Sequence, residues 1–82
     1  MSIPIINLSD MKLGEKANVI GLNASSAAAR QRFFACGLVP GVEISIVRMA
    51  PLGDPLQVRL DGDIMLSIRK SEGRDVTVQL TQ

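Results

Sequence analysis

Residues 56–69 read LQVRLDGDIMLSIR, and this stretch decides how the chain folds. Apolar and polar residues alternate twice along it, once on each side of Asp61-Gly62-Asp63. A period of two is typical of half-buried strands, and Asp-Gly between two such runs is a hairpin signal. We therefore predict two antiparallel strands joined by a short turn. The residues predicted to face the core are Leu56, Val58, Leu60, Ile64, Leu66 and Ile68, and those predicted to face outward in the second strand are Met65, Ser67 and Arg69.

The same alternation predicts further strands elsewhere in the chain. Residues 42–46 and 76–80 place valine, isoleucine or leucine at every second position, and residues 17–22 do so less regularly. The alternation slips at Val47 and Arg48, so we expect a β-bulge or a sharp bend there. Residues 8–11 predict a single helical turn before the first of these strands.

One helix is predicted over residues 27–36. Polar side chains within residues 23–26 can accept hydrogen bonds from its first turn. Its apolar face consists of Ala29, Phe33 and Cys36, at the spacing of one side of a helix. Gly37 suits the left-handed residue that ends many helices, and Leu38 is then expected to fold back onto Phe33.

About five short strands with one inserted helix define a mainly β fold. A flat sheet of this size leaves its aliphatic face uncovered, whereas closing the sheet on itself covers that face and removes exposed edges. We therefore predict a small SH3-like β-barrel, with an OB-type barrel as the alternative. Because 82 residues have room for one core, residues 1–82 are expected to form a single domain.

Composition argues against several classes of function. Histidine, tyrosine and tryptophan are absent, so neither Ser-His or Cys-His nucleophile pairs nor the common His-containing zinc sites can form. A net charge of +1 and an aromatic content of 2% leave no basic stripe and few stacking platforms for nucleic acid. We expect no enzymatic activity, no bound cofactor and no nucleic-acid partner.

The sequence also indicates the cellular compartment of the protein. Cys36 is the only cysteine, which excludes an intramolecular disulfide. The N-terminus lacks the pattern of a signal peptide, and no apolar run approaches the roughly 18 residues of a membrane span. We expect a cytoplasmic protein that does not insert into a membrane.

Residues 50–55, APLGDP, connect two of the predicted strands. Pro51 and Pro55 each fix φ and lack an amide proton, so neither fits inside a central strand ladder. Gly53 can take a positive φ, and Asp54 is expected to bond the backbone of its own turn. The expected result is a stiff, exposed loop with Leu52 at its tip. Joining two strands needs no such stiffness, so the loop is interpreted either as a partner-docking element or simply as a strong connector between the strands.

Two motifs of this chain resemble the FeoA family, the small ferrous iron transport protein A. One is RQRFFACGLVPGVEI at residues 30–44, which resembles an arginine-containing helix followed by a Leu-Gly-Leu/Met-x-Pro-Gly turn. The other is VRMAPLGDP at residues 47–55, and shorter matches lie at residues 8–14 and 66–69. The resemblance covers nearly the whole chain. Cys36 departs from the usual leucine or methionine, and two phenylalanines replace a common leucine pair.

The resemblance implies a cytoplasmic SH3-like barrel that acts with FeoB, a membrane ferrous iron transporter with a GTP-hydrolysing domain. FeoA-like proteins are not known as enzymes. The leading hypothesis is therefore an accessory protein that binds FeoB and supports its transport or GTPase activity. A metal-binding ferrous iron carrier or sensor is one alternative, and a structural module that forms homo-oligomers is another.

The predicted partner-binding residues lie on the loop at residues 50–55 and on the helix with its C-terminal turn. They are Arg30, Arg32, Phe34, Leu38, Val39, Leu52, Gly53 and Asp54. Leu52 is the expected anchor. Phe34 is expected either to pack beneath the barrel rim or to form an apolar patch with Leu38 and Val39. Both arginines are expected to be solvated unless an acidic partner pairs with them.

No metal ligand is assigned from the sequence. Cys36 is expected to behave as a small buried hydrophobic residue, because a lone thiolate does not hold iron or zinc without further ligands. Asp61 and Asp63 are close in sequence, but hard cations usually need six or more oxygen ligands. Both carboxylates are therefore expected to be solvated turn residues.

Overall fold

The computed structural model describes residues 4–23 and 27–81, which form six β-strands and two helices. The strands are β1 (Ile5–Asn7), β2 (Lys16–Leu22), β3 (Glu43–Met49), β4 (Leu56–Leu60), β5 (Met65–Ile68) and β6 (Val76–Thr81). The helices are α1 (Ala27–Ala35) and α2 (Lys70–Gly73). A 3₁₀ turn at Leu8–Asp10 confirms the predicted helical turn. Of the residues predicted to start α1, residues 24–26 lie outside the described residues.

The strands form one antiparallel sheet in the order β1-β6-β2-β3-β4-β5. The mainly β class with one main helix between β2 and β3 is confirmed. The expected number of about five strands is not confirmed, because the described residues form six and β1 also pairs with β6. That strand has three residues, too few to show an alternation. Within the described residues β1 and β5 do not pair with each other, so closure of the sheet into a barrel is not confirmed.

The pairing of β3 with β4 confirms the predicted bulge. Ile46 pairs with Val58, but the next pair joins Arg48 to Gln57, so Val47 is the additional residue on β3. A second register shift between residues 19 and 21 explains the irregular alternation of β2. Such bulges bend a strand and increase its twist, which helps the sheet to curve around one core.

One buried cluster of apolar side chains forms the core, and Phe33 is the aromatic residue in it. Its largest fully buried side chains are Phe33, Leu8, Met11, Leu38, Ile44, Ile46, Leu56 and Ile68. Ala29 and Cys36 pack against this cluster, which confirms the predicted apolar face of α1. Burying one large aliphatic side chain contributes about 1.5–3 kcal/mol, so this cluster stabilises the small domain.

The β4–β5 hairpin follows the prediction except at Ile64. Leu66 and Ile68 are buried and Met65 is exposed, as the alternation predicts. Ile64 is about half exposed, so its predicted place in the core is wrong. The reason is that β5 begins one residue later, while the Ile64 carbonyl accepts the Leu60 N–H at 2.8 Å and closes the turn.

Helix α1 ends in the turn that its sequence predicts. Gly37 has φ +91°, a left-handed conformation that glycine adopts without the strain of a Cβ atom. The Leu38 N–H donates to the Phe33 carbonyl at 2.9 Å, and the Gly37 N–H donates to the Phe34 carbonyl at 3.1 Å. These are the two bonds of a Schellman motif. They fold Leu38 back beside Phe33, and both side chains are fully buried.

Candidate functional site

The loop between β3 and β4 projects Leu52 into solvent, where its side chain is 95% exposed. Two backbone bonds hold the loop: the Gly53 N–H donates to the Ala50 carbonyl at 2.7 Å, and the Ala50 N–H donates to the Pro55 carbonyl at 3.1 Å. Gly53 has φ +82°, a value that glycine accommodates without strain. The predicted exposed loop with Leu52 at its tip is confirmed.

Asp54 connects the base of this loop to α2. Its Oδ1 accepts the backbone N–H of Lys70 at 2.9 Å. The expectation that Asp54 bonds its own turn is therefore wrong. Lys70 is the first residue of α2, and the N–H groups of a first helical turn have no acceptor within the helix. A carboxylate is a favourable acceptor for such a group.

Arg32 connects α1 to both α2 and β5. Its Nη2 donates to Glu72 Oε1 at 2.6 Å, and its Nη1 donates to the Ser67 carbonyl at 3.4 Å. Glu72 Oε1 also accepts the Arg69 N–H at 3.0 Å, at the start of α2. Arg32 is exposed, as expected, but its guanidinium also pairs with a carboxylate of the same chain, which the sequence did not predict.

These contacts surround an open polar groove of about 680 Å³. Its walls are Arg32, Asp54, Pro55, Ser67, Arg69 and Glu72. The groove therefore joins the loop and α1 to the consecutive elements β5 and α2. The Arg69 guanidinium makes no ion pair or hydrogen bond with any residue that the structure describes.

A second, apolar groove of about 410 Å³ lies between the turn after α1 and the turn before β5. Its walls include Cys36, Val39, Pro40, Leu60, Asp61 and Ile64. Mostly apolar walls with one carboxylate at the edge suit an apolar side chain from a ligand or a protein.

The predicted partner-binding residues do not all lie on the surface. Arg30, Arg32, Phe34, Leu52 and Asp54 are exposed, and Val39 and Gly53 are partly buried. Leu38 is 0% exposed, so its predicted place in a surface patch is wrong. The physical reason is the Schellman turn, which directs its side chain into the core. Phe34 is about half exposed, which does not fit packing beneath a rim.

The structure brings only some of these residues together. Arg32 and Asp54 line the polar groove, although 22 residues separate them in the chain. Val39 lines the apolar groove instead. Leu52 lies at the tip of the loop whose base, at Asp54, lines the polar groove.

Sequence reasoning missed Ser67, Arg69 and Glu72. Glu72 follows Arg69 at the spacing of a capping box, and its carboxylate does accept the Arg69 N–H. The motif normally begins with serine or threonine, so the sequence signal was incomplete. Nothing local indicates that Arg32 pairs with a glutamate 40 residues later.

A comparison with known families shows what kind of domain carries these grooves. The family model described as FeoA domain matches residues 6–80. The chain belongs to the FeoA family. The resemblance seen in its motifs is thereby confirmed. Members of the FeoA family take part in ferrous iron transport.

Solved FeoA structures are similar to this chain in sequence and in fold. FeoA from Chlorobium tepidum is 36% identical over 94% of this chain and 71% of its own, with a TM-score of 0.86. A FeoA-like protein from Clostridium acetobutylicum is 36% identical over 100% of this chain and 92% of its own, with a TM-score of 0.83.

FeoA from Stenotrophomonas maltophilia is a third relative and was solved in complex with zinc. It is 31% identical over 90% of this chain and 89% of its own, with a TM-score of 0.78. That relative is described as a prokaryotic SH3 domain protein and a candidate ferrous iron transport activating factor. These likenesses confirm an SH3-like FeoA fold for this chain.

Neither a metal-binding cluster nor a membrane-spanning helix was found in the part of the chain that the structure describes. Residues 4–23 and 27–81 contain no group of three or more His, Cys, Asp or Glu side chains placed to hold a metal ion. Nor do these residues form a helix that is long and apolar enough to cross a membrane.

Proposed function

We propose that this FeoA-family protein is a non-enzymatic accessory protein of ferrous iron uptake. It binds the cytoplasmic part of a FeoB-type transporter and supports that transporter's transport or GTPase activity. Family membership supports the link with ferrous iron. The description of the Stenotrophomonas maltophilia relative as a candidate activating factor supports an accessory role. The observation that carries the docking proposal is the exposed Leu52 on a loop that backbone hydrogen bonds hold in place.

Leu52 has the physical properties of an interface anchor. Burying a fully exposed leucine side chain contributes about 1.5–3 kcal/mol. Ordering a flexible loop on binding costs free energy, but the backbone bonds of Ala50 and Gly53 and the bond from Lys70 to Asp54 already hold this loop. Preorganisation of this kind leaves more of the burial energy for affinity. Phe34 supplies a second exposed apolar contact on α1.

The chemistry of the polar groove supports binding over catalysis. Arg32, Asp54 and Glu72 are engaged in contacts within the chain. Ser67 is the only hydroxyl among the residues that line the groove, and the hydrogen bonds of the Asp54 and Glu72 carboxylates go to other groups. The lining residues thus supply charge and shape for recognition.

The proposal is tested by titrating the cytoplasmic domain of the cognate FeoB-type transporter into the protein. We expect saturable binding that Leu52→Glu weakens at least about tenfold, because the anchor's burial energy is lost. Leu13→Glu is the matched control, since Leu13 is a leucine on the segment before β2 that is 63% exposed. We also expect Phe34→Glu to weaken binding.

The outcomes of this titration separate the claims. Absence of binding by the parent protein refutes the proposed function. If the parent binds and neither Leu52→Glu nor Phe34→Glu changes that binding, the loop and α1 are not part of the interface. Equal losses in Leu52→Glu and Leu13→Glu would mean that added charge, and not the loop, causes the effect.

A role as ferrous iron carrier or sensor has one observation in its favour, the zinc complex of the Stenotrophomonas maltophilia relative. Anaerobic calorimetry with ferrous iron tests it on the parent, on Cys36→Ser and on a variant with Asp61→Asn and Asp63→Asn. If the parent binds ferrous iron stoichiometrically and one of these variants does not, the carrier or sensor hypothesis is favoured. If the parent releases no more heat than dilution into buffer, that hypothesis is contradicted. Sedimentation over a range of protein concentrations tests the homo-oligomeric module.

A further inference from the structure

Strand β5 lies at one end of the sheet, and its register determines which of its backbone groups point outward. Among the described residues it pairs with β4 alone. The Ile64 carbonyl faces β4, because it accepts the Leu60 N–H. In an antiparallel pair, residues bonded to the neighbour alternate with residues whose N–H and C=O point away. Counting from Ile64, Met65 and Ser67 direct their backbone groups to the free edge.

The contact from Arg32 agrees with this orientation, since its Nη1 reaches the Ser67 carbonyl from α1 and not from β4. That carbonyl keeps a second lone pair. No other described residue bonds the Met65 N–H, the Met65 carbonyl or the Ser67 N–H at this edge. Both residues are exposed. Such a row of groups is a template for pairing with another extended chain.

The two grooves lie at the two ends of this free edge. Ile64, immediately before β5, lines the apolar groove, whereas Ser67 lines the polar groove. The other walls include Arg32 of α1 and Cys36 of the turn after α1. Both grooves therefore adjoin β5, and each also has a wall from α1 or from the turn after it.

The exposed backbone groups of β5 and the charge of Arg69 favour an extended, acidic segment as the occupant. An added strand lies about 4.8 Å from its neighbour, which is the spacing of one extended chain. Arg69 lies at the polar end with no ion-pair partner among the described residues, whereas Arg32 pairs with Glu72 Oε1. An acidic side chain on the segment would complement Arg69.

We propose that β5 accepts an extended segment of the partner protein as an additional strand of the sheet. An apolar side chain of that segment occupies the groove at Ile64, and an acidic side chain pairs with Arg69. Hydrogen bonds to Met65 and Ser67 supply affinity, and the two side-chain positions supply specificity. The partner's identity as a FeoB-type transporter rests on the proposed function, whereas strand addition rests on the geometry of the edge.

Proline at position 67 tests this inference. Ser67→Pro removes the outward N–H and places the proline ring on the free edge, without removing a bond to β4. Ser67→Ala is the matched control, because it also removes the hydroxyl but keeps the N–H. With the transporter's cytoplasmic domain as the probe, we expect binding by Ser67→Pro to be at least about tenfold weaker and binding by Ser67→Ala to stay within about twofold of the parent. Arg69→Ala should weaken binding, and Arg74→Ala, at another exposed arginine, should not.

A second measurement needs no variant and therefore does not depend on the folding of the proline variant. Amide hydrogen exchange at Met65 and Ser67 in the parent protein should slow at least about tenfold when the domain is bound. Unchanged exchange at both amides overturns strand addition.

The remaining outcomes are equally decisive. If Ser67→Pro and Ser67→Ala bind equally well, strand addition is wrong and the proposed function still stands. If the parent does not bind the domain, the proposed function fails and this inference fails with it. If the parent self-associates through an edge that Ser67→Pro blocks, the occupant is a second copy and the inference is wrong.

Discussion

Two leucines of this chain test how the structure divides core from surface. Leu38 is 0% exposed and packs beside Phe33, whereas Leu52 is 95% exposed at the tip of its loop. Leu38→Ala leaves a cavity in the core, and we expect it to lower the free energy of unfolding by about 2.7–5 kcal/mol. Leu52→Ala deletes the same atoms from an exposed side chain, and we expect the free energy of unfolding to change by no more than about 0.5 kcal/mol.

Urea and thermal unfolding followed by circular dichroism measure both variants, since the chain has no tryptophan or tyrosine for fluorescence. In a domain of this size 1 kcal/mol corresponds to about 4–8 °C, so Leu38→Ala should lower Tm by at least about 10 °C. The urea m-value should stay unchanged if the native state keeps its compactness. A loss of less than about 1 kcal/mol in Leu38→Ala would refute its place in the core.

Variants in α1, in the turn after it and in the loop at Asp54 test the local contacts of these segments. Gly37→Ala puts a Cβ on a residue with φ +91°, and we expect the free energy of unfolding to fall by about 1–2 kcal/mol; an unchanged urea midpoint would contradict the left-handed turn. Arg32→Gln and Glu72→Gln in a double-mutant cycle should show a coupling of about 0.2–1 kcal/mol, because the two side chains are 42% and 24% exposed. That coupling should shrink in about 1 M salt, and a salt-independent value would argue against an ion pair. Asp54→Ala should accelerate amide exchange at Lys70 relative to the Asp54→Asn control, which keeps an acceptor oxygen; identical exchange in the two variants would show that the loop is not bonded to α2.

Local chemistry allowed most of the sheet and the end of α1 to be predicted. Alternation with a period of two identified the inward residues of β4, because each strand residue reports directly on one face of the sheet. Gly37 identified the helix end, because few other residues adopt its backbone conformation without strain. The slip at Val47 identified the bulge, because one extra residue changes which side chains face inward.

The errors in the fold have local physical causes. The alternation continued through Ile64, but hydrogen bonding closed the turn there before β5 began. Leu38 received two incompatible expectations, contact with Phe33 and a place on the surface, and the Schellman turn satisfies only the first. Strand β1 and helix α2 have three and four residues, too few to show any period.

The candidate site was less predictable than the fold, because its contacts join residues far apart in the chain. Arg32 meets Glu72 at a separation of 40 residues, and Asp54 meets Lys70 at a separation of 16. Each pair is brought together by the packing of α1 and the loop around the sheet, which no local pattern encodes. The free edge of β5 likewise follows from the strand order, which no local pattern in the sequence indicates.

Docking of a FeoB-type transporter is tested most directly by nuclear magnetic resonance, with the isotope-labelled protein titrated with the transporter's cytoplasmic domain. We predict saturable chemical-shift changes concentrated at Phe34, at the loop from Leu52 to Asp54 and along β5, with Leu13 unaffected. Spectra that do not change as the domain is added, or saturable changes that spare all three regions, would contradict the proposal.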